Sequence, residues 1–191
     1  VRALVYYIGV SIDGFIAGPD DEIDFYPLTG EFGEWMTAEF PDALPTQIRR
    51  QLGVDGAPNR RFDTVVMGRR TYDPALSVGI PNPYAHLRQV VVSRSLESPD
   101  PHVTVVRDDP VTAVRALKRE DSELDVYLAG GGRLASQLVE EIDRLVVKLY
   151  PVVAGAGRSA FGDRFAPTLF QLDGMRTFPG GTAVLQYSRR R

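Results

Sequence analysis

The chain contains no cysteine, which excludes disulfides, thiolate zinc sites, iron–sulfur clusters and a cysteine nucleophile, and fits a reducing cytoplasm. Long apolar runs are also missing: Leu145-Val146-Val147 is interrupted within a few residues, far short of the roughly 20 that a membrane helix needs. The residues after Val1 lack the order of a signal peptide. Bulk positive charge is absent. With 22 basic against 25 acidic side chains the formal net charge is −3, so neither nucleic acid nor a membrane is an expected partner, and the closing Arg189-Arg190-Arg191 reads as a solvated terminus. No Gly-x-Ser-x-Gly elbow occurs, and His86 and His102 have no neighbouring metal ligands, so hydrolase and zinc chemistry lose support and no metal is expected. Gly157 to Gly162 has the glycine spacing of a phosphate loop, but Asp163-Arg164 follow where Lys-Ser/Thr is required.

What is present is a 191-residue chain, 43% apolar, that reads as one domain over 1–191. Short apolar runs alternate with amphipathic stretches. Strands are expected at Val5 to Ile8, Thr64 to Met67, Val90 to Val92, Val103 to Val106 and Val126 to Leu128, all rich in β-branched or aromatic residues. A helix is expected after Asp109-Pro110 through Val111, Val114 and Leu117, and a second from Gly132 with Leu134, Leu138, Ile142 and Leu145 on one face. Residues 13–62 are the least regular, with helices expected through Phe32, Trp35, Met36 and Phe40 and through Ile48 to Leu52. Period-two alternation in 182–188, after Pro179-Gly180-Gly181, predicts an antiparallel hairpin with 170–178 as its other arm. Strands alternating with helices imply an α/β fold with a mixed, mostly parallel sheet, flanking helices and this C-terminal hairpin.

Four segments have the composition of a ligand site. Val126 to Leu134 runs from a strand through Gly130, Gly131 and Gly132 into a helix beginning near Arg133. Residues without Cβ admit close approach of a bulky ligand, and free N–H groups suit an anion such as a dinucleotide pyrophosphate. Gly130-x-Gly132-x-x-Ala135 also fits the Rossmann fingerprint, which needs an acid about 20 residues on. Lys148 to Ala154 contains none, so an ordinary Rossmann dehydrogenase is disfavoured. Gly68-Arg69-Arg70-Thr71 combines close approach with guanidinium forks and a hydroxyl, and Ser93-Arg94 repeats the pattern at another strand end. Parallel strands bring their C-terminal ends to one edge, where ligands bind in open α/β sheets. Ser11 to Gly18, after the first strand, has small and apolar residues able to cover a flat ring; Asp13 there either orients polar groups or braces the loop.

These motifs, in this order, resemble the dihydrofolate reductase superfamily, and more closely the reductase domain of bifunctional riboflavin-biosynthesis deaminase/reductases. The resemblance runs from Ser-x-Asp-Gly-x-Ile-Ala at 11–17 through Met-Gly-Arg-Arg-Thr-Tyr at 67–72, Val-Val-Ser-Arg at 91–94 and Leu-Ala-Gly-Gly-Gly-Arg-Leu at 128–134 to Pro-Val-Val-Ala-Gly-Ala-Gly at 151–157. It implies an NADPH-dependent oxidoreductase acting on a C=N or C=O of a small pterin-like or pyrimidine-like heterocycle. Gly68, Arg69, Arg70 and Thr71 would face the cofactor phosphates, with Ser93 and Arg94 near the adenosine 2′-phosphate. Gly130, Gly131, Gly132 and Arg133 would cradle the pyrophosphate, and Gly9, Ile16 and Ala17 would border the nicotinamide. The carboxylate that fixes a pterin in dihydrofolate reductases has Glu31 as its nearest counterpart, with Asp13, Asp24 and Glu34 as rivals. The deaminase is not expected, since its zinc site would need cysteines. A homodimer is the expected assembly. A nucleotide-binding module of the same fold, without turnover, is the alternative reading.

Overall fold

A computed structural model describes residues 1–28, 30–98, 100–162 and 164–190. Asp163 of the failed phosphate-loop pattern and Arg191 of the terminal arginine run lie outside the described residues. Among these residues ten strands and five α-helices follow one another as β1 (Leu4–Val10), β2 (Phe15–Ala17), α1 (Gly30–Glu39), α2 (Thr46–Gln51), β3 (Phe62–Gly68), α3 (Arg69–Ser77), β4 (Arg88–Val92), β5 (Val103–Val106), α4 (Pro110–Arg119), β6 (Asp125–Gly130), α5 (Gly132–Gln137), β7 (Arg144–Leu149), β8 (Arg158–Ser159), β9 (Phe170–Thr177) and β10 (Ala183–Arg189), with a short 3-10 turn at Pro41–Ala43. Eight strands form one sheet in the order β5-β4-β3-β6-β1-β7-β10-β9, while β2 and β8 form a separate antiparallel pair. The first six strands of that order are parallel, and β10 and β9 add an antiparallel hairpin to the β7 edge.

Near-continuous hydrophobicity in the parallel strands is explained by burial on both faces. In β1, Leu4 and Tyr6 join Val66, Val90, Val126 and Leu128 on one face, under Val114 and Leu117 of α4 and Leu134 of α5. Val5 and Tyr7 join Val65, Met67, Val91, Tyr127 and Val146 on the other, beneath Phe32 of α1 and Tyr72 of α3. Burying a side chain such as Phe32 stabilises the fold by about 1.5–3 kcal/mol. The α4 start follows its sequence signals: Asp109 accepts a hydrogen bond from the Thr112 N–H at 2.9 Å, and Pro110 occupies the first turn.

One expectation needs correction. The helix beginning at Gly132 stops at Gln137, and Leu145 belongs to β7. Leu138 and Ile142 stay fully buried, so the apolar spacing continues across the turn that follows the helix. There the Asp143 N–H donates to the Leu4 carbonyl and the Asp143 carboxylate accepts from the Leu4 N–H, each at 2.9 Å or less, which draws the chain into pairing with β1. The short β2–β8 pair had no separate signal in the sequence, because two or three residues carry no readable period.

Candidate active site

The register sets six strand ends on one edge. Gly68 lies beside Val92, Met67 beside Gly130, Val92 beside Val106 and Val10 beside Leu149. The segments that leave β4, β3 and β6 are therefore neighbours, and they carry Ser93-Arg94, Gly68 to Thr71 and Gly130 to Arg133.

At the centre of this edge two glycine turns meet. A Cβ on Gly68 would lie 3.6 Å from the Gly131 nitrogen and 3.7 Å from the Gly130 carbonyl oxygen, so backbone approaches backbone there. Thr71 sits below, its hydroxyl 3.7 Å and 3.8 Å from the Cβ positions of Gly130 and Gly131, and the Ile16 Cδ1 is 3.8 Å from that of Gly131. Gly130 has φ +117°, a conformation glycine adopts freely, and the Gly130–Gly131 peptide is cis. Gly132 is turned elsewhere: its Cβ position overlaps the Ser159 carbonyl oxygen. It packs against β8 instead of lining the open cradle.

The arginines divide in the same way. Arg69 forms an ion pair with Asp73 one turn along α3. Arg70, Arg94 and Arg133 are exposed and have no ion-pair partner among the described residues. Ser93 is buried, and its hydroxyl oxygen accepts from the Leu96 N–H at 3.1 Å and the Ser95 N–H at 3.3 Å, which shapes the turn that exposes Arg94.

The remaining expected residues lie towards β1. Asp13 braces a crossing. Its carboxylate accepts from the Ser11 hydroxyl at 2.6 Å and from the N–H groups of Ala154 and Gly155 at 3.0 and 2.7 Å, and these bonds hold its pKa down to about 2. Such a group stays ionised and is fully engaged, which suits neither proton donation nor substrate binding. Ala17 is buried, its carbonyl oxygen occupying the Cβ position of Gly157. A Cβ on Gly9 would come 2.8 Å from the Tyr150 ring, so that side of β1 is roofed by an aromatic. Glu31 is exposed in the first turn of α1 and makes no hydrogen bond among the described residues; Asp24 and Glu34 are exposed as well.

The face of the sheet that carries Gly9 holds groups that sequence reasoning passed over. Tyr7 stacks on Phe40 at 4.6 Å between centroids, Tyr150 meets Tyr26 at 4.5 Å and Phe32 at 5.6 Å, and Phe178 meets Phe32 and Trp35 at 5.3 Å. Lys148 stands among them, its Nζ 4.0 Å from the Tyr7 ring centroid. Alternation through Val146, Lys148 and Tyr150 was the available signal, but a lysine closing an apolar run reads as the end of a strand.

Residues 2–184 match the family model described as the RibD C-terminal domain. The chain belongs to that family. This RibD C-terminal domain is 29% identical over 191 residues to the uncharacterised protein YwjB of Bacillus subtilis (strain 168), covering 98% of each chain. It is 23% identical over 199 residues to the uncharacterised protein YyaP of the same organism, covering 97% of this chain and 94% of that one. Among solved structures it superposes with TM-score 0.73 on a Shewanella sp. PV-4 protein provisionally named for riboflavin biosynthesis, at 23% identity and 99% coverage of both. A Thermotoga maritima diaminohydroxyphosphoribosylaminopyrimidine deaminase/5-amino-6-(5-phosphoribosylamino)uracil reductase gives TM-score 0.62 at 15% identity, matching 99% of this chain and 57% of that one. The fold is thus the dihydrofolate-reductase-like α/β fold of riboflavin-pathway reductases.

Proposed function

We propose that this RibD C-terminal domain is an NADPH-dependent reductase that directs a hydride to a C=N or C=O carbon of a small heterocyclic molecule. The observation that carries this reading is the row of unpaired guanidiniums at Arg70, Arg94 and Arg133 around the open Gly68–Gly130–Gly131 cradle. The cradle fits a pyrophosphate, because a Cβ on Gly131 would fill space bounded by Ile16 and Thr71. When bound, NADPH supplies the hydride. Arg94 is our candidate for the 2′-phosphate, supported by its departure from β4 beside β3 and by the lack of a carboxylate partner among the described residues; Arg70 and Arg133 offer charge to the pyrophosphate. Ile16 shields one side of the cradle, and Tyr150 over Gly9 keeps water from that stretch of β1.

Titration of the purified protein with NADPH and NADH tests the cofactor half. NADPH should bind about tenfold or more tightly, the size expected for one charge-assisted phosphate contact, and Arg94→Ala should remove the difference. Equal affinity for the two cofactors overturns the assignment. Oxidation of NADPH in the presence of a panel of pteridines and pyrimidines separates an enzyme from a nucleotide-binding module, which would bind without turnover.

A further inference from the structure

The chain has 20 arginines and only two lysines. One of them, Lys118, is fully used: its ammonium pairs with Asp143 at 2.6 Å and donates to the Glu141 carbonyl at 2.9 Å. The other, Lys148, has neither an ion-pair nor a hydrogen-bond partner among the described residues. It is half-buried near the C-terminal end of β7, in register with Gly9 on β1 and Val184 on β10, and Val184 is in register with Arg176 on β9. Beside it the Tyr7 hydroxyl is buried and also lacks a partner among the described residues.

Against the Lys148 ammonium lies the Tyr7 ring, which in turn stacks on Phe40. The aromatic layer on this face continues through Tyr150, Tyr26, Phe32, Trp35 and Phe178, none of which brings a carboxylate, and Arg176 adds a guanidinium 5.8 Å from the Trp35 ring centroid. Burial pushes all three phenols up, Tyr26 to about 12. Burial alone draws the lysine down to about 8. The carboxylates of α1 at Glu31 and Glu34 are exposed, and Glu39 is engaged with Arg61 at 2.7 Å.

We propose that Lys148 is the recognition cation for the molecule to be reduced, binding an anionic or carbonyl oxygen on an aromatic heterocycle. The inference rests on the reductase reading above and deepens it. An ammonium carries three donors and no acceptor, so the site selects a ring edge of oxygen acceptors and repels the amino-substituted, protonatable edge that a carboxylate would hold. Low polarity around the ammonium strengthens its attraction for an anion.

Two small probes of opposite edge chemistry test this: orotate, a pyrimidine carboxylate, and 2,4-diaminopyrimidine. Reductive methylation with ¹³C-formaldehyde labels only the N-terminal amine and the two lysines, so Lys148 is read directly by NMR and assigned with Lys148→Arg. Orotate should shift the Lys148 signal and raise its titration midpoint, while diaminopyrimidine leaves both unmoved. Calorimetry should show orotate weakened by about tenfold or more in Lys148→Met and largely retained in Lys148→Arg, with thermal melts verifying that both variants fold. Absence of orotate binding to the wild type, unchanged affinity in Lys148→Met, or tighter binding of diaminopyrimidine would overturn the proposal. NADPH binding by the wild type is measured separately, so failure of the reductase reading and failure of the Lys148 assignment give different results.

Discussion

At Gly68, Gly130 and Gly131 the space where a side chain would begin is bounded by atoms 3.6 to 4.0 Å away, whereas at Gly132 and Gly157 it is already filled by the carbonyl oxygens of Ser159 and Ala17. The two sets look alike in sequence. The first keeps ordinary contact distance around the missing Cβ; the second lets the strap from Ala154 to Gly162 press against β2 and α5. A run of glycines therefore mixes two functions, and neighbouring positions in Gly130-Gly131-Gly132 fall on opposite sides of the division.

Substitution by alanine should separate the two sets. Gly157→Ala has the largest expected effect, because φ is +149° and a backbone oxygen blocks the new methyl; about 3 kcal/mol or more of stability is lost, combining strain with overpacking. Denaturant unfolding measures it, and a loss below 1 kcal/mol would show that the strap yields. Gly132→Ala meets a similar obstacle without the unfavourable φ, and should cost about 1–3 kcal/mol in the same assay. Gly131→Ala reverses the pattern: stability stays within about 1 kcal/mol, while NADPH affinity falls about tenfold because the methyl enters the cradle. If it unfolds the protein instead, the cradle belongs with the strap.

The smallest effect concerns the brace. The Asp13 pKa is lowered from 3.8 to about 2 in the folded protein, so its contribution to stability is complete above the unfolded value and disappears as pH falls through the folded one. Thermal melts between about pH 4 and pH 2 should therefore decline more steeply in the wild type than in Asp13→Asn. Parallel slopes would mean that the bonds to Ala154 and Gly155 do not hold the strap.

Strands β1, β3 to β6, β9 and β10 and helices α1, α2 and α4 were legible because each satisfied a local rule, such as β-branched runs between turns or the Asp109-Pro110 cap; β7 and the β2–β8 pair were not. The length of α5 was not, since Leu138 and Ile142 keep helical spacing while the Asp143 pairing with Leu4 ends the helix. At the candidate site, the positively charged strand ends at 68–71, 93–94 and 130–133 were apparent from residue type, because parallel topology alone makes them neighbours. Two contributions depended on tertiary contacts: the engagement of Asp13 by residues more than 140 positions away, and the placement of Lys148 beside Gly9. Neither has a signal within a ten-residue window.

The position of β1 has a consequence for how the molecule is made. It is synthesised first, yet its partners are β6 and β7, whose residues emerge more than 120 positions later. Until then Val5, Tyr6 and Tyr7 belong to a strand with two open edges, and no shorter piece of the chain can close the centre of the sheet. Contacts of such separation make folding slow, and a nascent chain halted before Asp125 exposes an apolar segment that the finished protein buries. Maturation of this domain thus waits on its last third, which also carries Gly130, Gly131 and Lys148.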